Sequence, residues 1–291
     1  MTETTSVVEV HPGHYWTAQP LGDEDDSTRG DDASTSTASI ASSILHYRTV
    51  NGRTYHSDAV TETKYCDFAD LHPNVTVIGT DISPIQPAWV PPNVKFQIDD
   101  FTQPWTFAEE SVDFIYARWL IGCVTNWTAL FKEAYRTLKP GGWIETFESD
   151  GFFESDDGTL TDKNASSQWG HIFSEATKKH GSTASFTVVR DKVQQKSLRE
   201  AGFVNIQENP IKCPFSEWPE DLKLKEIGLF TRAAWEADPE GFIGYMAHSL
   251  GWTKEEITVY CAHMRRELRG LKIHLFYRVN AVWAQKPFSP S

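Results

Sequence analysis

From residue 75 onward, apolar and polar positions fall into short blocks whose period alternates between that of a strand and that of a helix. Val75–Thr80 is an apolar run of the length of a buried strand. Val94–Ile98 is a second, ending at Asp99-Asp100, and Asp113–Ala117 is a third. Over Trp127–Leu138 the period changes, and Leu130, Phe131, Ala134, Tyr135 and Leu138 share one face of an amphipathic helix. Lys139-Pro140-Gly141-Gly142 ends that helix, because proline cannot continue it and paired glycines supply a sharp reversal. Trp143–Phe147 follows as a strand. This strand–helix alternation predicts an α/β fold, a parallel sheet with helices on its faces.

Beyond residue 150 the pattern predicts a polar, loop-rich stretch over 151–187 with one helix near Ser167–Lys179. A helix over Asp191–Ala201 is closed by Gly202, and a strand covers Val204–Glu208. Residues 216–270 read as helical, punctuated by Trp218, Trp235 and Trp252. His274–Gln285 alternates as a last, antiparallel strand. Residues 1–37 are acidic and rich in Ser and Thr, with few apolar groups to bury, and are expected to be an unstructured tail. Within it His11 and His14 lack a third ligand and are not read as a metal site. Ile40, Ile44 and Leu45 give a short helix near Ala38, capped by Ser36 or Thr37, and Asn51-Gly52 marks a turn. One domain over 38–288 is expected, with 151–270 as a helical lid and substrate region.

Composition narrows the function classes. A net charge of -13 argues against a nucleic-acid surface, and no basic run offers a patch for one. No apolar run reaches the roughly 18 residues of a membrane helix. No apolar leader opens the sequence, so secretion is not expected. The 4 cysteines are far apart without metal or redox spacing, which suits a reducing cytoplasmic or nuclear setting. The 11 tryptophans imply a substantial core and suggest an aromatic-lined cavity.

In open α/β sheets, ligands bind beyond the carboxyl ends of the strands. Asp81 ends the first recognisable strand, where a carboxylate can accept both hydroxyls of a ribose; the alternative is a helix cap. Asp99 or Asp100, after the second strand, is placed to accept the amine of an adenine; the alternative is a solvated loop. Arg118 and Trp119, after the third, are placed to line the far end of a cofactor, unless Trp119 packs in the core. His171, His180, His248 and His274 are bases by residue type alone, and none is named catalytic.

The phrases Asn51-Gly52-Arg53-Thr54-Tyr55-His56, Ile78-Gly79-Thr80-Asp81-Ile82-Ser83-Pro84, Trp89-Val90-Pro91-Pro92-Asn93-Val94, Asp113-Phe114-Ile115-Tyr116-Ala117-Arg118 and Leu138-Lys139-Pro140-Gly141-Gly142-Trp143 carry a resemblance. With Phe96-Gln97-Ile98-Asp99-Asp100, Ala201-Gly202-Phe203-Val204 and Leu250-Gly251-Trp252, the chain from Ala38 to Pro287 resembles the fungal LaeA-like class I methyltransferases. The resemblance implies a Rossmann-like sheet with a helical lid, S-adenosylmethionine as cofactor, and a small-molecule substrate of secondary metabolism. By it, Asp81 would hold the ribose and Asp99 or Asp100 the adenine. LaeA-like proteins are also linked to regulatory complexes, so a protein partner stays open.

One departure is large. The family begins with a strand, a glycine-rich turn and a helix, and the turn lets the backbone approach the cofactor. Here Thr61–Phe68 contains no glycine, and only the end of that helix remains, near Asp67–Pro73. The sheet is therefore expected to lack its central strand. Three readings stay open: a segment lost from the coding sequence, a makeshift strand from Arg53–Tyr65, or a methyltransferase-shaped partner that does not methylate.

Overall fold

The computed structural model describes residues 9–21, 48–50, 53–55, 64–82 and 90–289, with residues 48–50, 53–55 and 64–67 described by backbone alone. The chain divides into two compact units, residues 1–21 with 107–291 and residues 22–106.

The larger unit is built on a four-stranded sheet. β5 (Val112–Arg118) runs parallel to β6 (Leu138–Glu154), and β8 (Phe276–Gln285) lies antiparallel between β6 and β7 (Val204–Pro214). Helix α3 (Trp127–Thr137) links β5 to β6; the Asn126 side chain caps it by accepting from the Ala129 N–H at 2.9 Å. Its apolar face buries Leu130, Phe131 and Ala134 as the periodicity predicts. At the α3–β6 reversal Gly141 has φ of 81°, and a Cβ on Gly142 would meet the Asp113 carbonyl oxygen at 2.9 Å, so both positions require glycine. β6 runs well past the predicted Trp143–Phe147, because β8 pairs with it as far as Phe276 opposite Glu154. The expected loop-rich start at 151 is thus sheet up to Glu154.

Helices α4 (Ala165–Lys179), α5 (Val193–Glu200), α6 (Leu222–Ala237), α7 (Pro239–Ser249) and α8 (Lys254–Arg269) complete this unit. α8 opens with a capping box between Thr253 and Glu256 and buries Ile257, Tyr260, Cys261, Met264 and Leu268 on one stripe. Its Glu267 carboxylate caps α4 in turn, accepting from the N–H groups of Ala165 at 2.8 Å and Ser166 at 2.9 Å. That contact from another helix starts α4 at Ala165 rather than at the predicted Ser167.

The expectation of an unstructured tail fails over part of its length. Gly13–Ala18 form helix α1, and Trp16 is buried at 1% exposure against Tyr260, ring centroids 5.2 Å apart. The Trp16 carbonyl lies 3.2 Å from His263 Nε2, and Gln168 Oε1 accepts the His11 N–H at 3.0 Å. Two adjacent aromatics, Tyr15 and Trp16, in a polar stretch leave no periodicity to read, yet Trp16 fills a core site. The expected helix near Ala38 lies outside the described residues.

The smaller unit holds two separate strand pairs. β1 (Arg48–Val50) and β2 (Arg53–Tyr55) pair antiparallel on either side of Asn51-Gly52. β3 (Val77–Asp81) and β4 (Val94–Ile98) run parallel, Val77 opposite Val94 and Asp81 opposite Ile98. Helix α2 (Lys64–Leu71) precedes β3. The Asn93 side-chain amide donates to the carbonyls of Ala69 and Val75, both at 2.9 Å, and so ties α2 to the start of β3. The segment considered for a makeshift central strand contributes β2, which pairs with β1; among the described residues, no strand pairs with both β3 and β5.

Replacing Trp16 by Ala is expected to lower stability by about 3–5 kcal/mol, the range for emptying a buried aromatic site. Thermal unfolding monitored by circular dichroism checks this; an unchanged midpoint would mean that the segment is not docked in solution.

Candidate functional site

In the smaller unit the parallel pair brings two of the predicted acids together. Asp81 is the last residue of β3, Asp99 is the first after β4, and the Asp99 N–H donates to the Asp81 carbonyl at 3.0 Å. Both side chains are half-buried at one carboxyl edge. Asp99 Oδ2 accepts from Thr106 Oγ1 at 2.8 Å, while its Oδ1 has no hydrogen-bond partner among the described residues. Asp100 is turned to another use. Its Oδ1 accepts from the Thr102 N–H at 2.9 Å and Thr102 Oγ1 at 2.6 Å, and these bonds hold its carboxyl below the usual carboxylate range. Of the adjacent pair, Asp99 is therefore the freer acceptor.

Arg118 belongs to the larger unit. It is the last residue of β5, and its guanidinium lies 5.6 Å from the ring centre of Phe147 and 5.9 Å from that of Trp119. It forms no ion pair among the described residues. Trp119 is not a core residue: it is 39% exposed, its φ of 56° lies in the left-handed region, and its N–H donates to the Phe147 carbonyl at 3.1 Å.

Two acids that sequence reasoning did not single out organise this edge. Glu148 on β6 is fully buried and accepts the N–H groups of Leu120 and Ile121, each at 3.0 Å. No cation pairs with it among the described residues, and burial raises its pKa to about 7 against the pull of those two amides. Asp150, two residues on, accepts from the Val189 N–H at 2.9 Å and the Arg190 N–H at 3.1 Å, and burial raises its pKa as well. The two loops so held are tied to each other, with the Gly122 N–H on the Ser185 carbonyl at 3.3 Å. Nothing local in the sequence marks this role, since β6 also carries Glu145, Thr146, Ser149 and Glu154.

Among the described residues most of the large aromatics pack on one another instead of around a cavity. Phe153, Trp169, Phe215, Trp235 and Tyr277 stack edge to face and face to face on one another as core. A cleft of about 420 Å³ lies instead between residues 9–12 and Glu175, Leu250 and Trp252. His171 sits against Phe152, and burial lowers its pKa. His180 stacks on Tyr245, and His274 stacks on Trp218 with Nδ1 2.5 Å from Asp157. His11 stacks on Tyr15, and no group of three metal-ligating side chains occurs among the described residues. No helix among them is long and apolar enough to cross a membrane.

Parallel strand pairs, one of them joined through helix α3, with acids at carboxyl ends, define a Rossmann-like α/β protein. A family model described as a methyltransferase domain matches residues 64–208. The methyltransferase pytC of Aspergillus terreus is 35% identical over 75% of this chain and 67% of its own length. The secondary metabolism regulator LAE1 of Cochliobolus heterostrophus is 32% identical over 76% of this chain and 72% of its own. The probable methyltransferase tdiE of Emericella nidulans is 31% identical over 77% and 69%. The chain belongs to the fungal LaeA-like class I methyltransferase family.

Glu148 generates a pH prediction. Its folded pKa of about 7 lies above the ordinary 4.5, so between these values the folded state holds the extra proton. Its contribution to stability is therefore present below pH 4.5 and is lost as pH rises through 7, a fall of about 3 kcal/mol at about 1.4 kcal/mol per pH unit. Relative to wild type, Glu148→Gln is expected to remove that fall in unfolding measured from pH 5 to 8; parallel profiles for the two proteins would contradict it.

Proposed function

We propose that the protein is an S-adenosylmethionine-dependent methyltransferase acting on a small molecule of fungal secondary metabolism. The observation that carries this reading is the pairing of β3 with β4, which sets Asp81 and Asp99 side by side at one parallel carboxyl edge. Asp81 is assigned to the ribose hydroxyls and Asp99 to the adenine amine, with Asp100 shaping the turn beside it. Arg118, in the larger unit, stands at the carboxyl end of β5. The printed names of the relatives, methyltransferases and a secondary metabolism regulator, support the pathway class.

The residues present fit the adenosine half of the cofactor. They do not supply the glycine turn that would seat the methionine half: no glycine occurs between Gly52 and Gly79, and Gly79 itself faces the Phe96 ring within its strand pair. When bound, the cofactor supplies the methyl group, and the chain's part is to hold the acceptor in line with it. No histidine is assigned as a base. A cytoplasmic or nuclear site of action fits the absence of a membrane-crossing helix among the described residues.

A second reading has its own observation. Among the described residues β3 and β5 share no neighbouring strand, which favours a partner protein that keeps the methyltransferase shape and steers a biosynthetic reaction without the cofactor. Calorimetry of the full chain with S-adenosylmethionine separates the two. The methyltransferase reading expects measurable heat, and an affinity at least about tenfold weaker for Asp81→Ala, as for loss of a charged hydrogen-bond acceptor. A folded sample that gives no heat, with product formation in the host unchanged by Asp81→Ala, sinks it in favour of the partner reading.

A further inference from the structure

The loop after β5 is held in a conformation that it would not adopt alone. Trp119 has φ of 56°, a region that costs a side-chain-bearing residue roughly 1–2 kcal/mol. Three successive amides fasten it. Trp119 donates to the Phe147 carbonyl at 3.1 Å, and Leu120 and Ile121 both donate to the Glu148 carboxylate at 3.0 Å. All the acceptors lie on neighbouring residues of β6, so the strand sets the loop directly. The result is an exposed Trp119 ring beside an Arg118 guanidinium that has no acidic partner among the described residues.

A buried carboxylate with no cation is an expensive way to hold two amides. Nothing in the packing of the core requires it. The position of the loop accounts for it: the loop leaves the carboxyl end of a parallel strand, where α/β proteins bind their ligands. We propose that Glu148 is a positioning residue, whose carboxylate fixes residues 119–121 so that Arg118 and Trp119 meet the cofactor in a single conformation. This rests on the methyltransferase reading for the identity of the ligand, and on the loop geometry alone for the clamp.

Oε2 accepts from both Leu120 and Ile121 and Oε1 from Leu120 as well, and an ionised carboxylate accepts these amides more strongly than a protonated one. The groups around Glu148 leave its charge uncompensated. The Cys123 thiol, on the same loop, is pushed up by burial and by the Glu148 charge. β8 places the neutral Asn280 opposite, and the Asp150 carboxylate further along β6 is occupied by Val189 and Arg190. Order in the loop should therefore rise with pH through about 7.

Amide hydrogen exchange on the full chain, corrected for intrinsic rates, reads this directly. Wild type is expected to protect Leu120 and Ile121 at least about threefold more at pH 8 than at pH 6, with β8 unchanged. Glu148→Gln should lose that protection at both pH values and weaken S-adenosylmethionine binding at least about threefold, while its thermal midpoint at pH 8 is no lower than that of wild type. Protection of 120–121 that is independent of pH in wild type overturns the proposal, and that arm does not depend on the variant folding. Unchanged cofactor affinity in Glu148→Gln overturns it too. Wild type that shows the pH-dependent protection but binds no cofactor keeps the clamp and overturns the methyltransferase reading instead.

Discussion

A parallel β-strand needs a neighbour for its backbone and cover for both faces. Among the described residues no strand pairs with both β3 and β5, and the form of each unit follows from the strand pairings it does make. Among the described residues each lies at the end of its own sheet, and Ile78 on β3 and Phe114 on β5 stand half in solvent. The two halves of the usual cofactor site are affected differently. The acids at the ends of β3 and β4 depend on one strand pairing, which survives. A seat for the methionine end would depend on a glycine turn, and no glycine occurs between Gly52 and Gly79.

The larger unit shows how the remaining carboxyl edge keeps its form. β6 is paired on both sides, parallel to β5 and antiparallel to β8, and therefore offers fixed points. Glu148 and Asp150 project from it to the two loops at that edge and hold each by two backbone amides. Carboxylates accept several hydrogen bonds without adding bulk, so they suit a place where two loops and a strand meet. Arginines close the same end, with Arg190 and Arg278 both on Glu154. The edge is held by charge and amide geometry, while the helical layer behind it is held by aromatic packing.

Most elements of the fold were legible from periodicity, because their burial is set locally. β4 and α3 begin where their apolar patterns begin, and the antiparallel sense of β8 follows from its alternation. What the pattern did not carry was set by partners distant in sequence. The length of β6 depends on β8, the start of α4 depends on Glu267, and the burial of Trp16 depends on a pocket between α8 and α4. At the candidate site, the strand-end rule found Asp81, Asp99 and Arg118 but could not separate Asp99 from Asp100, which differ through Thr102 and Thr106. It also passed over Glu148, since an acid inside a strand has no local sign that it reaches a loop.

The most direct test of this account compares adenosine with S-adenosylmethionine as competing ligands for the full chain. If Asp81 and Asp99 hold the adenosine and no glycine turn seats the remainder, the two should bind within about tenfold of each other, a difference of about 1.4 kcal/mol. S-adenosylmethionine binding a hundredfold or more tighter than adenosine would contradict the account, because the methionine end would then have a seat that neither the sequence nor the strand pairing provides.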